Sequence, residues 1–250
     1  MTPNVRGYRE DLAYIHDAGY SDYALGAAPG LLKILKKAGI TDGLVVDLGC
    51  GSGRWARELN RAGYRVLGID QSRAMIGLAR RIAPGSCFKI ASLWSVRLPP
   101  CKAITSIGEC LNYSFDRASG RGALTRLFRR AYRALKPGAI LICDFAGPER
   151  RPRRGARIHE SVGRDWSVAA KTTARGPRVI CRRIVALRRF GKKWRRSEEV
   201  HYLRLYSVAE VAGCLARCGF RVRVVRGYGK FRFPRGIDGV VALKPKSRGN

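Results

Sequence analysis

Between residues 43 and 145 short apolar runs alternate with amphipathic ones, and no other feature of the chain restricts its fold as much. The runs at 43–48, 64–70, 87–91, 102–107 and 140–145 have the length and Val/Ile/Leu content of buried strands, while 54–63, 72–83 and 122–135 repeat apolar residues at helical spacing. Buried strands joined by helical crossovers run parallel, and the helices must cover both faces of the sheet. The pattern therefore predicts an α/β, Rossmann-like fold.

The flanks complete it. Residues 1–40 are expected to form an N-terminal helical cap: "YREDLAYIHDAGYSDYA" places Tyr8, Leu12, Ile15 and Tyr23 on helical spacing, and "PGLLKILKKAG" begins at Pro29 and stops at Gly39. After Phe145 the pattern changes. "AGPERRPRRGARIHE" reads as loop, and the β-rich runs that follow, broken by "RGP" and "FGKKW", predict an antiparallel insertion over 147–206 after the fifth strand. From 207 the α/β pattern resumes: Ser207 and Glu210 form a capping box for a helix over 208–218, Gly219 ends it, and "FRVRVVRGY" and "DGVVALKP" supply two more strands. The expectation is one domain over 1–250, with a seven-stranded, mostly parallel sheet whose core is 41–146 and whose last strands lie in 207–250.

Composition narrows the setting. No apolar run reaches the ~20 residues of a membrane-spanning helix, and "MTPNVRGYRED" lacks a secretory core, so a cytoplasmic protein without membrane association is expected. The eight cysteines lack paired zinc-site spacings, and Cys214 and Cys218, four apart on one helix face, read as packing; no metal is expected. The net charge is +32, and residues 150–250 alone hold 28 basic against 6 acidic residues. Such a surface attracts polyanions, although an arginine-rich solvated face would look the same.

The segment "VVDLGCGSGRW", 45–55, joins the first strand to the first core helix through Gly49, Gly51 and Gly53. Glycines at the carboxyl edge of a parallel sheet let backbone approach a ligand that any Cβ would hold off. The spacing is not that of a dinucleotide loop, since Arg54 stands where the third glycine belongs, and no Lys-Ser/Thr pair follows as in a phosphate-binding loop. Asp47, just before the turn, would repel a pyrophosphate and attract an ammonium. Asp70, ending the second strand, can accept hydrogen bonds from both hydroxyls of a ribose. An adenosine attached to a cationic amino acid satisfies both acids.

"VVDLGCGSG" followed by "VLGID" resembles the class I S-adenosylmethionine-dependent methyltransferases, in particular the bacterial small-molecule branch with a β insertion after strand five. The likeness spans roughly residues 40–145 and returns near 207–244. It implies S-adenosyl-L-methionine as cofactor and 41–146 as the cofactor-binding core. Gly49, Gly51 and Gly53 would line its methionine and ribose, Asp47 would lie near the amino group and Asp70 would hold the ribose hydroxyls, with Cys50 and Gln71 also in the cofactor site. At the third strand's end, "ASLW" offers Ser92 and the Leu93 backbone to the adenine.

A sulfonium methyl is already activated, so alignment rather than acid–base chemistry dominates. Glu109, in "SIGECLNYSFD" after the fourth strand, is the candidate to accept a proton from or fix an acceptor; Asn112 and Tyr113 border it. His16 in the cap is a second candidate base, and His159 and His201 are others in or beside the insertion. Base-methylating enzymes carry Asp/Asn-Pro-Pro-aromatic after the fourth strand; here that place reads Gly108-Glu109-Cys110-Leu111. The expected reaction is transfer to a nitrogen or oxygen of a small molecule by in-line displacement. Two other readings stand beside it. One is RNA methylation through the basic C-terminal third, with Trp166, Trp194, Tyr202, Tyr206, Phe231 and Phe233 as stacking platforms; the other is a catalytically silent cofactor-binding interaction module.

Overall fold

The computed structural model describes residues 7–246 apart from 116 and 121; residues 1–6 of the expected cap, and 247–250, lie outside the described residues. Two helices open the fold, α1 (Glu10–Tyr20) and α2 (Asp22–Lys37). The alternating unit follows as β1 (Leu44–Leu48), α3 (Arg54–Arg61), β2 (Arg65–Asp70), α4 (Arg73–Ile82), β3 (Cys87–Ile90), β4 (Cys101–Ser106), α5 (Ala123–Ala134) and β5 (Leu135–Ala146). Four long strands come next: β6 (Ala156–Val162), β7 (Trp166–Ala174), β8 (Val179–Phe190) and β9 (Lys193–Arg204). The chain ends with α6 (Val208–Arg217), β10 (Arg221–Val225), the short pair β11 (Gly227–Tyr228) and β12 (Phe231–Arg232), and β13 (Ile237–Leu243).

The main sheet has seven strands in the order β10-β13-β5-β4-β1-β2-β3, and only β13 runs antiparallel to its neighbours. This is the Rossmann-like sheet expected, and the antiparallel insertion is a separate sheet in the order β6-β7-β8-β9. Among the described residues no helix is long and apolar enough to cross a membrane.

Apolar faces explain the layering. Leu31 and Leu35 of α2 and Trp55 and Leu59 of α3 bury themselves against Val45, Val66 and Ile142 on one face of the sheet. Leu127, Phe128 and Ala131 of α5 and Val211 and Leu215 of α6 cover Ile104, Leu141 and Val240 on the other. Cys214 lies in this second cluster and Cys218 packs against it. Each buried Leu or Phe contributes about 1.5–3 kcal/mol relative to exposure. Gly30 allows α2 to approach β11 backbone to backbone: a Cβ there would stand 2.0 Å from the Tyr228 carbonyl oxygen.

A third cluster ties α1 to the insertion. Leu12 and Ile15 pack on Trp166, Val168, Ile184 and Ala186. Asp11 is half of a forked ion pair with Arg195 and lies 3.5 Å from Arg188. The cap thus serves as a wall facing the inserted sheet.

Three local expectations are corrected. Pro29 does not start a helix; α2 begins at Asp22 and carries Pro29 inside. The pyrrolidine removes one helical donor, which is tolerated because the buried Ala27, Ala28, Gly30 and Leu31 hold the helix on the sheet. Residues 156–160, expected as loop, belong to β6, because every residue from Ala156 to Val162 is paired in register with β7. Polar side chains there reflect an edge strand. Strand β5 starts at Leu135 rather than 140, since Cys101 pairs with Leu135 before the register shifts.

Candidate functional site

The strand order reverses between β1 and β4, where an open parallel sheet binds ligands outside its carboxyl ends. A cavity of about 720 Å³ opens there, within the usual range for small-molecule sites. Its floor comes from the loops after β1, β2, β3 and β4. Its walls come from α1 and from residues of β6, β7 and β8; Asp47, Gly49, Cys50, Gly51, Asp70, Gln71, Ser92, Leu93, Glu109 and His16 border it, and Gly53 does not.

The three glycines all have left-handed φ, but they serve three different purposes. Gly51 lines the cavity, and a Cβ there would meet no atom within 4 Å. Gly49 is filled in by the protein itself: its Cβ would lie 2.5 Å from Cys110 Sγ. Gly53 lets α3 approach α4, with Ala79 Cα 3.0 Å from the position of a Cβ. Only Gly51 is bare toward the ligand space.

Asp70 is fixed by backbone rather than by a cation. The Gly51 N–H donates to its Oδ2 at 3.0 Å and the Ser72 N–H to its Oδ1 at 2.9 Å. Burial raises its pKa in spite of these bonds. Asp47 accepts from Thr105 Oγ1 at 2.7 Å, and Thr105 in turn accepts from the Trp55 indole at 3.2 Å. Burial, partly offset by the Thr105 bond, pushes Asp47 up to about 7. Cys50, Gln71, Ser92 and Leu93 also border the cavity. Ser92 Oγ already accepts from the Trp94 N–H, and the Leu93 carbonyl from Arg130. An adenine amine would therefore compete for these two acceptors.

Across β1 and β4 from Asp70 the chemistry changes sign. Glu109 has φ 61°, a left-handed conformation rare outside glycine, and Asp144 Oδ1 holds it there by accepting both the Gly108 and Glu109 N–H groups at 2.8 Å. Asp144 also accepts from Tyr228, and its burial, the largest influence, pushes it up to about 7. The Glu109 carboxylate is bracketed by Arg182 on Oε2 at 3.0 Å and Arg150 on Oε1 at 3.3 Å. Tyr113 receives a bond from Arg182 at 3.3 Å and shares one with Tyr8 at 2.8 Å. His16 borders the same space beside Tyr8 and Tyr20, and burial pulls it down to about 4, so it is neutral at pH 7. Asn112 is fully engaged away from the cavity, bonding Ala146 through both backbone groups and also the Arg204 carbonyl.

Residues 45–138 match the family described as "Methyltransferase domain". The likeness to a methyltransferase domain thus covers the cofactor-side half of the sheet. A curated relative, trans-aconitate 2-methyltransferase of Methylobacterium nodulans, is 32% identical over 133 residues, covering 52% of this chain and 48% of that protein. The chain spans about half the length of the curated relatives it matches. Solved structures agree in fold across nearly the whole chain. An S-adenosylmethionine-dependent methyltransferase from Clostridium acetobutylicum ATCC 824 superposes with TM-score 0.78 at 16% identity, over 94% of this chain and 98% of that one. CalS10, an amino pentose methyltransferase from Micromonospora echinaspora solved with S-adenosylmethionine, superposes with TM-score 0.73 at 20% identity, over 95% and 97%. The likeness in fold thus extends beyond residues 45–138 to the insertion and cap.

Several residues around the cavity carry no sequence signal. Tyr8 is the hub: it too has positive φ, 56°. Its N–H donates to Glu199 at 2.7 Å, its carbonyl accepts from Ser72 at 2.6 Å, and its hydroxyl meets Tyr113. Glu199 of β9 additionally accepts from the Arg9 N–H and contacts His201 Nε2 at 2.8 Å. His201 is therefore a buried anchor behind Tyr8, Tyr113 and Phe115, not a group on the cavity wall. Arg54, notable in the sequence only as a missing glycine, forks onto Asp17 of α1 at 2.7 and 2.8 Å and clamps the cap over the glycine turn. His159 reaches Tyr20 at 3.2 Å, joining β6 to α1 at an exposed rim.

Proposed function

We propose that the chain transfers a methyl group from S-adenosylmethionine to a nitrogen or oxygen of a small-molecule acceptor. The supporting observation is the pairing of a bare Gly51 with a backbone-anchored Asp70 on one cavity wall. Asp70 accepts the Gly51 and Ser72 N–H groups and is also favoured by the Gln71 backbone, and a carboxylate with about four lone-pair sites still has room for a ribose hydroxyl. The groups present therefore fit the cofactor. Asp47 would face its ammonium, Gly51 would line its sugar, and the Ser92–Leu93 turn would border its adenine, with Gln71 also in the cofactor site. When bound, S-adenosylmethionine supplies a methyl whose leaving group is a neutral thioether.

What remains for the protein is to align the acceptor and exclude water, and orientation of this kind is worth about 7–11 kcal/mol. The walls from α1, β6, β7 and β8 provide that enclosure. Neither His16 nor Glu109 is arranged as an efficient base: His16 is held far below the working pH, and both Glu109 oxygens are engaged by arginines. We read Glu109 as a residue that positions Arg150 and Arg182, and His16 as a neutral wall. Among proteins similar to this chain the named acceptors include an acid, trans-aconitate, and an amino pentose. Small acceptors are also favoured by the aromatics of the basic third: Trp166 and Tyr206 are buried, whereas Trp194 is 54% exposed. Stacking platforms for a single strand would be exposed as a group.

The test is calorimetric binding of S-adenosylhomocysteine, followed by labelled S-adenosylmethionine added to cell extract. Label in a small metabolite is expected. Label in RNA would overturn the acceptor class, and absence of binding would overturn the whole reading.

A further inference from the structure

Three guanidinium groups meet beside the loop after β4, and one carboxylate answers them. Arg182 and Arg150 each take one oxygen of Glu109, and Arg157 donates to the Arg150 carbonyl. All four side chains line the cavity. Arg182 has its remaining contact on the Tyr113 hydroxyl. Arg150 Nε is buried and has no hydrogen-bond partner, although a guanidinium carries five donors in a fixed fork. Among the described residues on this part of the cavity, three positive charges stand against one negative. Like charges gathered at a partly buried wall repel strongly, and such a cluster persists where a second anion completes it.

Other acids on the cavity do not serve. Asp47 and Asp70 belong to strands β1 and β2 and are bonded to Thr105 and to backbone. Burial, together with Arg150 and Arg182, lowers the pKa of Arg157 against the opposing pull of Glu109.

We propose that the acceptor carries an oxyanion, a carboxylate or a phosphate, which seats between Arg150 and Arg157 while Glu109 and Arg182 hold the floor beneath it. This rests on the transfer reading above. Paired guanidiniums suit such groups because two parallel N–H donors match two oxygens of one anion. The anchor holds the acceptor on the side of the cavity opposite Asp70 and leaves its nucleophilic atom to point toward β1.

The test uses the full chain saturated with S-adenosylhomocysteine and reads the thermal midpoint in sodium succinate, sodium phosphate, or sodium chloride at equal ionic strength. The chloride arm matters because the chain's net charge is +32, so any salt screens it. Succinate, phosphate or both should raise Tm beyond chloride; succinate alone identifies a carboxylate and phosphate alone a phosphoryl group. The double variant Arg150→Gln/Arg157→Gln should lose that excess, whereas Arg221→Gln/Arg223→Gln on exposed β10 should keep it. If neither anion exceeds chloride, or the cavity variant keeps the excess, the oxyanion site is wrong while cofactor binding stands. If S-adenosylhomocysteine itself gives no calorimetric signal, the transfer reading fails and the acceptor claim with it.

Discussion

The two sides of the cavity are built by opposite means. On the side proposed for the cofactor, Asp47, Gly51, Asp70, Gln71 and Ser92 fall within 46 consecutive residues, and the Asp70 carboxylate is steadied by backbone N–H groups. On the acceptor side, Tyr8, Glu109, Arg150, Arg157 and Arg182 come from across most of the chain, and charged side chains steady one another. Backbone-fixed groups depend on the turn alone. Side-chain-fixed groups depend on the cap and the insertion being seated. Damage to the first side should therefore remove cofactor binding and leave the fold, while damage to the second should alter the acceptor site and loosen the walls.

The largest effect is expected at Asp70. A hydrogen bond from a ribose hydroxyl to a charged acceptor is worth about 1.5–3 kcal/mol, so Asp70→Ala should weaken S-adenosylhomocysteine binding by roughly 10 to 10²-fold in calorimetry. A change under threefold would mean that the sugar is held elsewhere. The glycines divide more finely. Gly51→Ala places its methyl in open cavity, so it should cost only the roughly 1–2 kcal/mol of left-handed strain in stability while blocking the cofactor. Gly49→Ala drives a methyl onto Cys110 and should lower Tm further than Gly51→Ala does. Equal Tm losses with equal binding losses would erase the distinction between the two positions.

That contrast also explains what the sequence disclosed. Alternating apolar and amphipathic runs determine a parallel sheet because each strand and helix must bury one face locally, and every core element appears within a few residues of its expected place. The glycine turn and Asp70 were legible for the same reason, being neighbours in sequence. Arg182 was not: one arginine among 50 basic residues has no local mark, and it matters only because β8 carries it under Glu109. Tyr8 was read as one position on a helical face. Its role as hub needs Glu199, 191 residues away, and Ser72. Pro29 misled because a helix already packed on a sheet tolerates a missing donor that an isolated helix would not.

The acids on the cofactor side sharpen the comparison through pH. Asp47, raised to about 7, is protonated in the free protein below that value. An ammonium beside it favours the ionised form, so binding releases a proton at pH 5.5 and none at pH 8. Affinity for S-adenosylhomocysteine should thus rise by up to about tenfold per unit as pH climbs toward 7, then level off. His16 does not confuse the window, since at about 4 it stays neutral throughout. In Asp47→Asn the dependence should flatten; a slope that survives there belongs to another group, and the ammonium assignment falls.

The smallest effect is expected where the two walls touch at the rim. Tyr20 of α1 and His159 of β6 share one exposed hydrogen bond at 3.2 Å, and neither is tied into the Glu109 or Glu199 networks. A neutral bond of this kind contributes about 0.5–1.5 kcal/mol, so Tyr20→Phe should lower Tm by about 1–6 °C in a chain of this size. Its kinetic consequence is more telling. If the rim contact closes the cavity over its contents, stopped-flow release of S-adenosylhomocysteine should quicken by about twofold to tenfold with the association rate nearly constant. Unchanged release would assign retention of the ligand to the Tyr8 hub, whose bonds to Ser72 and Glu199 join the same two walls from behind.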